Sequence, residues 1–378
     1  MKPIQMQLKF TKSEIIVNAA VLALVLIAAG VIYLQNQPNI QEVSALLSGS
    51  GATFPQPQIN AWVQKFSAAY PKIRIEYAGG GSGKGQTDFL SGIVDFAGSD
   101  VPLASDKWAA ATEKYGKVYQ LPWLVGGIAI VYNIPELGGK QLRLSQEALV
   151  KILLGQIEYW DDPMLKSLNP GLSLPHQKII FVHRSDASGT NAVFTTFLSK
   201  ISGEWKSKVG AGLTVNWPLD AQGRGIGGQG NPGVAQAVKS TPYSMGYVEL
   251  AYTKGLQVAL LENAVGEYVA PTPESVSKAA GGVSISYDPS ADVSKYDLLS
   301  QMLNVRASGA YPIVTPTYVI VKAPDKYPRE KALALGLFLK WVFTEGQKPG
   351  NIIEGYAPIS GPFVDAGLKV ANELLGRK

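Results

Sequence analysis

The stretch RSDASGT, at residues 184–190, brings together side chains that suit a small anion. Arg184 carries a guanidinium, and Ser188 and Thr190 carry hydroxyls. A guanidinium makes charge-assisted hydrogen bonds to oxyanions, and hydroxyls add neutral donors beside it. The residue types and their spacing therefore predict an oxyanion as the natural ligand of this stretch.

The residues on either side of this stretch predict that it joins a strand to a helix. The apolar run at residues 179–182 is typical of a buried strand, whereas Val193, Phe194 and Phe197 recur at helical spacing. Ser188 is then a helix N-cap, and the free amides of a first helical turn attract anions. The junction thus positions backbone and side-chain donors together.

Composition limits the classes of site that the chain can hold. Its 378 residues are 46% hydrophobic, which allows a large core and favours two lobes. The absence of cysteine excludes disulfides, thiolate catalysis and cysteine-ligated metals. A net charge of +5 is too small, and the basic residues too scattered, for a nucleic-acid-binding protein. We expect no metal, no cofactor and no nucleic-acid partner.

The N-terminal part of the chain predicts a membrane anchor. Residues 15–34 are almost continuously apolar, with Asn18 the only strongly polar side chain, and about 20 helical residues cross a bilayer. Lysines precede this run and no basic cluster follows it, so residues 1–14 are predicted to be cytoplasmic and the main body extracellular. Residues 35–46 form a linker. A cleaved signal peptide is the alternative, because residues 28–30 are small.

Past the linker, strand and helix patterns alternate along the chain. Residues 59–70 have helical spacing, residues 73–77 alternate like a strand, and residues 93–97 form a further strand-like run. A strand pattern returns at residues 313–321 and leads to an amphipathic helix at residues 330–343. This rhythm predicts an α/β fold with mostly parallel sheets and helices on both faces. Ligands of such sheets bind beyond the carboxyl ends of the strands.

Four predicted strand ends carry hydroxyls, glycines or a carboxylate, at residues 50–54, 81–83, 99–100 and 184–190. Each by itself is typical of a turn. Together they predict a pocket of neutral donors with one arginine and one carboxylate, which suits anion capture. Residues 225–230 match G-x-G-x-x-G, but no strand pattern precedes them, so we predict a mobile or ligand-lining loop there and not a dinucleotide site.

A series of segments carries a family resemblance. In chain order they are SGSGATFP, YAGGGSGKG, VDFAGSDVPL, LPWLVGGIAIVYNIP, GQIEYWDDP, LNPGLSLP, VHRSDASGTNAVFTTFL and MGYVELAYTK. With them the chain resembles the periplasmic phosphate-binding proteins of high-affinity phosphate ABC transporters. The resemblance implies a two-lobe periplasmic-binding-protein fold whose hinge the chain crosses. Lobe I would hold residues 47–122 and 311–378, and lobe II would hold residues 123–310.

The same resemblance implies a function and partners. Inorganic phosphate would be captured between the lobes and delivered to the permease subunits of an ABC importer, by a monomer without catalytic residues. The predicted anchor departs from a cleaved signal or a lipidated cysteine, and implies a receptor tethered to the cell membrane. Lys84 is a second departure, and leaves open whether a lysine adds charge near the ligand.

Carried over residue by residue, the resemblance implies a set of ligand-binding positions. They are Thr53, Phe54 (through its backbone amide), Ser82, Asp100, Arg184, Ser188, Gly189 and Thr190. Asp186 would hold the guanidinium of Arg184 in place. Asp100 would select phosphate, because a carboxylate repels an anion that brings no proton, and phosphate brings one where sulfate does not.

Three alternative functions stay open. The chain could bind sulfate or a metal oxyanion, although the proton argument for Asp100 disfavours both. It could be a secreted phosphoester hydrolase that uses Ser188 or Ser99, but no base, metal cluster or nucleophile elbow is evident, so we predict that it is not an enzyme. His176 and His183 are better explained as structural or exposed residues. A structural surface protein would show no ligand-induced rise in melting temperature.

Overall fold

The computed structural model describes residues 42–281 and 286–376 of the chain. The predicted cytoplasmic tail, the predicted anchor and most of the predicted linker lie outside the described residues. Within the two described ranges, no helix combines the length and the apolar character that a bilayer crossing requires.

The strands form one large sheet and one small sheet. In chain order they are β1 (Ala45–Gly51), β2 (Ile73–Gly79), β3 (Phe96–Ser99), β4 (Val118–Tyr132), β5 (Arg143–Leu144), β6 (Ile180–Arg184), β7 (Gly225–Gly228), β8 (Ser244–Glu249), β9 (Gln257–Val258), β10 (Leu260–Glu262), β11 (Tyr268–Val269), β12 (Val314–Lys322) and β13 (Tyr356–Ala357). The large sheet has the order β2-β1-β3-β12-β4-β8-β6-β7, with β9 and β13 added at β4. The small sheet has the order β11-β10-β5.

The large sheet is mixed, which corrects the prediction of mostly parallel sheets. β1 pairs in parallel with β2 and β3, and β6 pairs in parallel with β7 and β8. β4 and β12 run antiparallel to each other, and also to β8 and β3 beside them. β12 and β4 lie between the two groups of parallel strands. The chain runs along β4 in one direction and returns along β12 in the other, so the two strands are antiparallel.

The long strand β4 connects the two groups of parallel strands. Every residue of β4 is buried, as expected of a near-continuous apolar run between other strands. It pairs with β12 through Gly127 and with β8 from Ile128 onward. The chain therefore forms a two-lobe α/β fold with a shared strand. The residue bounds predicted for the lobes stay a prediction.

Helices flank both groups of strands. In chain order they are α1 (Gln56–Ala69), α2 (Ser82–Ser91), α3 (Ser105–Tyr115), α4 (Gln146–Leu153), α5 (Pro163–Leu168), α6 (Gly189–Ile201), α7 (Gly203–Lys208), α8 (Pro218–Ala221), α9 (Gly230–Ser240), α10 (Pro273–Ala280), α11 (Leu298–Met302), α12 (Arg329–Phe343) and α13 (Pro362–Leu374). The predicted helices at residues 59–70 and 330–343 are thus confirmed within the usual variation of helix ends. The predicted strand at residues 93–97 is displaced, because Ile93 is 69% exposed and the strand begins at Phe96.

Aromatic side chains fill the core behind the strand ends. Trp62 of α1 meets Trp123 of β4 edge to face, with ring centroids 5.7 Å apart. Phe194 of α6 stacks on Tyr247 of β8 at 4.4 Å. Each ring pair contributes about 1 kcal/mol to the free energy of unfolding, in addition to the contribution from buried area. Such packing anchors the helices whose N-termini reach the carboxyl ends of the strands.

Candidate functional site

The stretch RSDASGT is a strand-to-helix junction, which confirms the local prediction. β6 ends at Arg184, and α6 begins at Gly189. The Ser188 hydroxyl oxygen accepts a hydrogen bond from the Asn191 amide at 3.1 Å, so Ser188 is the predicted N-cap. This cap leaves Gly189 and Thr190 in the first turn of α6, where the helix presents free amides.

The guanidinium of Arg184 is held from two directions. Its side chain is 1% exposed. Nε and Nη2 donate to the carboxylate oxygens of Asp186 at 2.8 and 2.5 Å, and Nη1 donates to Thr190 Oγ1 at 3.2 Å. Burial opposes ionisation of Asp186, but its bonds to Arg184 and to the Gly230 amide lower the pKa of this carboxyl overall. The paired charges fix the plane of the guanidinium.

Asp100 lies beyond the end of β3 and is 2% exposed. Its Oδ1 accepts from the Thr317 hydroxyl at 3.1 Å, and its Oδ2 accepts from Ser82 and Thr190 at 3.4 and 3.5 Å. Burial raises the pKa of Asp100 to about 7, although the charge of Arg184 and the three hydroxyls pull it down. The site thus surrounds one carboxyl with neutral donors and places an arginine near it.

Thr53 and Phe54 occupy the turn between β1 and α1. The Thr53 hydroxyl oxygen accepts from the backbone amide and from the side-chain amide of Asn231, both at 3.1 Å. The Tyr252 hydroxyl donates to the Thr53 carbonyl at 2.6 Å, and the Tyr356 hydroxyl donates to the Phe54 carbonyl at 2.6 Å. Two tyrosines therefore hold the backbone of this turn in place.

The four predicted junctions touch one another. The Gly83 amide donates to the Ala187 carbonyl at 2.9 Å. A Cβ on Gly189 would lie 2.2 Å from the Ser82 hydroxyl and 2.7 Å from the Asp100 side chain. Because distant parts of the chain meet so closely, the structure brings the positions proposed from the sequence to one place. Their role in ligand binding stays a prediction.

Sequence reasoning missed several residues of this site. Asn231 is the second residue of α9, which follows β7, so the predicted loop at residues 225–230 is a short strand and a helix start. The predicted ligand-lining role of this segment stays a prediction. Thr317 lies in the fully buried strand β12, where no alternation marks one side chain. Glu249 ends β8 and is fully buried, and its position followed from no local motif.

Lys84 does not join the group of polar side chains around Asp100. Its ammonium pairs with the Asp88 carboxylate one helical turn later, and about half of the side chain is exposed. Asp88 also accepts from the Ser50 hydroxyl at 2.7 Å. Lys84 thus forms a salt bridge along the surface of α2.

The hydroxyls considered for a hydrolase are engaged elsewhere. Ser99 Oγ donates to the Val101 carbonyl at 2.6 Å and accepts from Gln86 at 3.1 Å. His183 pairs through Nε2 with Asp220 at 2.9 Å. In the part of the chain that the structure describes, no histidine or carboxylate is hydrogen-bonded to Ser99 or Ser188, and no cluster of metal-ligating residues occurs.

Comparison with known proteins identifies relatives over most of the chain. The family model for the PBP superfamily domain matches residues 35–345. The phosphate-binding protein PstS of Methanocaldococcus jannaschii is 46% identical over 345 residues, which cover 89% of this chain and 88% of the relative. The phosphate-binding protein PstS of Xylella fastidiosa (strain Temecula1) is 37% identical over 321 residues, or 84% of this chain and 83% of the relative.

Solved structures share the fold. A periplasmic phosphate-binding protein (PfluDING) bound with phosphate has a TM-score of 0.67 at 21% identity, covering 85% of this chain and 92% of its own. A phosphate-binding protein from Stenotrophomonas maltophilia has a TM-score of 0.63 at 20% identity, covering 86% and 94%. These relatives are named as binding proteins and not as enzymes, in agreement with the prediction from sequence. The chain belongs to the PBP superfamily and, within it, to the PstS family of phosphate-binding proteins.

Proposed function

We propose that the chain captures inorganic phosphate between its two lobes, outside the cytoplasm, and delivers it to an ABC importer. Its membership of the PstS family supports this function. The observation that carries it is the buried carboxyl of Asp100, which three hydroxyls and the charge of Arg184 surround. The chain acts as a solute-binding protein and not as an enzyme.

The donors of the proposed site match the bare oxygens of phosphate, and its single acceptor, Asp100, matches the P–OH group. Monohydrogen phosphate has one P–OH group and several bare oxygens. Asp100 accepts a hydrogen bond from the P–OH group, and Arg184 donates to a bare oxygen. The remaining donors are the hydroxyls of Thr53, Ser82, Ser188 and Thr190 and the amides of Phe54 and Gly189. Sulfate has no proton at neutral pH, so one of its oxygens would face an ionised carboxylate, and this repulsion disfavours it.

We infer further that residues 15–34 anchor the protein in the cell membrane, with residues 1–14 in the cytoplasm. The apolar run and the lysines before it support the anchor. Mass spectrometry of the native N-terminus tests it, because a cleaved signal would remove these residues. The pairing of β4 with both strand groups supports two lobes that share crossing strands, with lobe bounds near 122–123 and 310–311. The permease subunits are the proposed partners of the monomer.

Calorimetry with phosphate and sulfate tests the proposed ligand. We expect tight binding of phosphate and weak binding of sulfate at about pH 8, where Asp100 is mostly ionised. Asp100→Asn should lose this discrimination, because a neutral amide does not repel sulfate. Equal affinity of the unmodified protein for the two anions would favour a general oxyanion-binding protein.

A further inference from the structure

Asn231 is hydrogen-bonded to Thr53 and Thr190, two of the residues proposed to bind phosphate. It is fully buried at the start of α9. We propose that Asn231 is a positioning residue, whose amide compels the hydroxyls of Thr53 and Thr190 to act as donors to the bound anion. This inference rests on the proposed function, because it concerns how the same ligand is recognised.

The geometry at Thr53 leaves its hydroxyl one option. A hydroxyl has two lone pairs and one hydrogen. Thr53 Oγ1 accepts from the backbone amide of Asn231 at 3.1 Å and from Asn231 Nδ2 at 3.1 Å. Both lone pairs are then occupied by the same residue. The hydroxyl can only donate its hydrogen.

The hydroxyl of Thr190 is constrained in the same way by two different residues. Thr190 Oγ1 accepts from Arg184 Nη1 at 3.2 Å and from Asn231 Nδ2 at 3.3 Å. Its hydrogen points to Asp100 Oδ2 at 3.5 Å, which is at the long limit of a hydrogen bond. A ligand oxygen that approaches more closely therefore captures this donor easily.

The orientation of the Asn231 amide is itself determined. Asn231 Oδ1 accepts from the backbone amide of Glu249 at 2.9 Å. A backbone amide only donates, so the oxygen of the side chain must face Glu249 and the NH2 group must face the two threonines. The backbone amide of Glu249 in β8 thus helps to fix both threonine hydroxyls as hydrogen-bond donors.

Fixed donors matter because hydroxyls are ambivalent. A threonine hydroxyl that is free to rotate can present either its hydrogen or a lone pair to an anion. Hydrogen bonds that exclude the second orientation preorganise the site for the anion. With Asn231 in place, the threonine hydroxyls donate only to a bare oxygen, while Asp100 accepts a hydrogen bond from the protonated oxygen of the ligand. Asn231 therefore contributes to the choice of a singly protonated oxyanion without touching it.

A mutant cycle on the full chain tests this role. Asn231→Ala should weaken phosphate binding about tenfold or more, because each hydroxyl regains a free lone pair in a buried site. In a background of Thr53→Val and Thr190→Val, which lacks both hydroxyls, the same change should alter the affinity by less than about threefold. Calorimetric titration with inorganic phosphate measures all four proteins.

Asn169→Ala is the matched control. Asn169 is also buried, and its amide is fully bonded to Arg143 and Leu165 at 2.7 to 3.0 Å. Its loss should lower the melting temperature without altering phosphate affinity. If Asn231→Ala does not fold, Asn231→Asp replaces it, since this variant keeps the acceptor for Glu249 and removes the donors. It should weaken phosphate binding more strongly than alanine.

The outcomes separate this inference from the proposed function. If Asn231→Ala lowers phosphate affinity by the same factor in the unmodified protein and in the valine background, Asn231 acts independently of the two threonine hydroxyls. That result would overturn the inference. An affinity of Asn231→Ala within about twofold of the unmodified protein would overturn it too. If the unmodified protein binds no phosphate, the proposed function fails and the inference fails with it.

Discussion

At Asp100, burial and nearby charge act in opposite directions on a single carboxyl. Burial raises its pKa from the ordinary value of 3.8 to about 7, although Arg184 and the hydroxyls of Thr317, Ser82 and Thr190 counter this rise. Near neutral pH, ligand-free protein therefore contains both forms of the side chain. The ionised form accepts a hydrogen bond from the P–OH group of phosphate, whereas the protonated form can donate to an oxygen of sulfate.

Sulfate binding should depend on pH for this reason. Between about pH 8 and about pH 6 the protonated fraction of Asp100 grows about tenfold, since its pKa is about 7, and sulfate affinity should grow by about the same factor. Asp100→Asn, which is neutral throughout, should bind sulfate equally at both pH values. Calorimetric titration with sulfate checks this expectation, and constant sulfate affinity in the unmodified protein would contradict it.

Glu249 is a second buried carboxyl. Its Oε2 accepts from the Ala251 amide at 2.9 Å and lies 2.8 Å from the Tyr356 hydroxyl, whose single hydrogen also faces the Phe54 carbonyl. Its Oε1 has no partner among the described residues. Burial raises its pKa well above the ordinary 4.5, against the effect of these bonds, and the nearby charge of Asp100 adds to the rise. The folded protein therefore holds this proton to higher pH than the unfolded chain does.

Glu249→Gln should stabilise the protein at higher pH. As the pH rises above 4.5, the unfolded chain loses this proton while the folded chain retains it, so stability falls in the unmodified protein. Glutamine removes this fall, and we expect a melting temperature about 3 °C or more higher at about pH 8, with little difference at about pH 4. Glu354→Gln, at an exposed position, is the control. A lower melting temperature for Glu249→Gln at about pH 8 would show that Glu249 is ionised.

At the scale of elements, the N-terminus of α6 packs directly against the start of α2. Gly189 permits this approach, because a Cβ there would lie 2.2 Å from Ser82 Oγ and 2.7 Å from the side chain of Asp100. Gly203, the first residue of α7, has no atom within 4 Å of its corresponding Cβ position. The two glycines begin neighbouring helices but differ in what surrounds them.

Gly189→Ala should therefore abolish most phosphate binding. The added methyl would separate α6 from α2, and we expect a loss of affinity of about hundredfold. Gly203→Ala should bind phosphate normally. Calorimetry and circular dichroism of the two variants provide the comparison, and equal affinities would mean that the two helices need not approach so closely.

At the scale of the molecule, hydrogen bonds connect residues that the predicted bounds assign to different lobes. Tyr252 donates to the Thr53 carbonyl at 2.6 Å, and Gly83 donates to Ala187 at 2.9 Å. Under the proposed function, bonds of this kind would stabilise the closed arrangement of the two lobes.

Removing one of these bonds should weaken binding through closure. Tyr252→Phe should reduce phosphate affinity by about threefold to tenfold, mostly through faster release, since one hydrogen bond contributes about 1 kcal/mol. Tyr243→Phe, which loses a bond to the exposed Glu136 at 2.9 Å, should not change release. Stopped-flow measurements of phosphate release distinguish the two variants, and identical release rates would contradict a role for Tyr252 in closure.

Local features of this protein were accessible from its sequence. The junction at residues 184–190, the Ser188 cap and the helix at residues 330–343 were predicted correctly, because caps and periodicity depend on neighbouring residues. The strand at residues 93–97 was displaced, since an apolar Ile93 faces solvent. The candidate ligand-binding positions followed from the family resemblance, because its motifs lie in contiguous segments.

The strand-to-helix junctions and the family to which the chain belongs follow from the sequence alone, because contiguous segments encode both. Strand direction, the burial that raises the pKa of Asp100 and the hydrogen-bond partners of the proposed ligand-binding residues depend on the tertiary structure. Thr53 and Asn231 are 178 positions apart, and Asp100 and Thr317 are 217 positions apart. Hydrogen bonds over about 3 Å between such residues follow from the packing of the whole sheet, which no local pattern records.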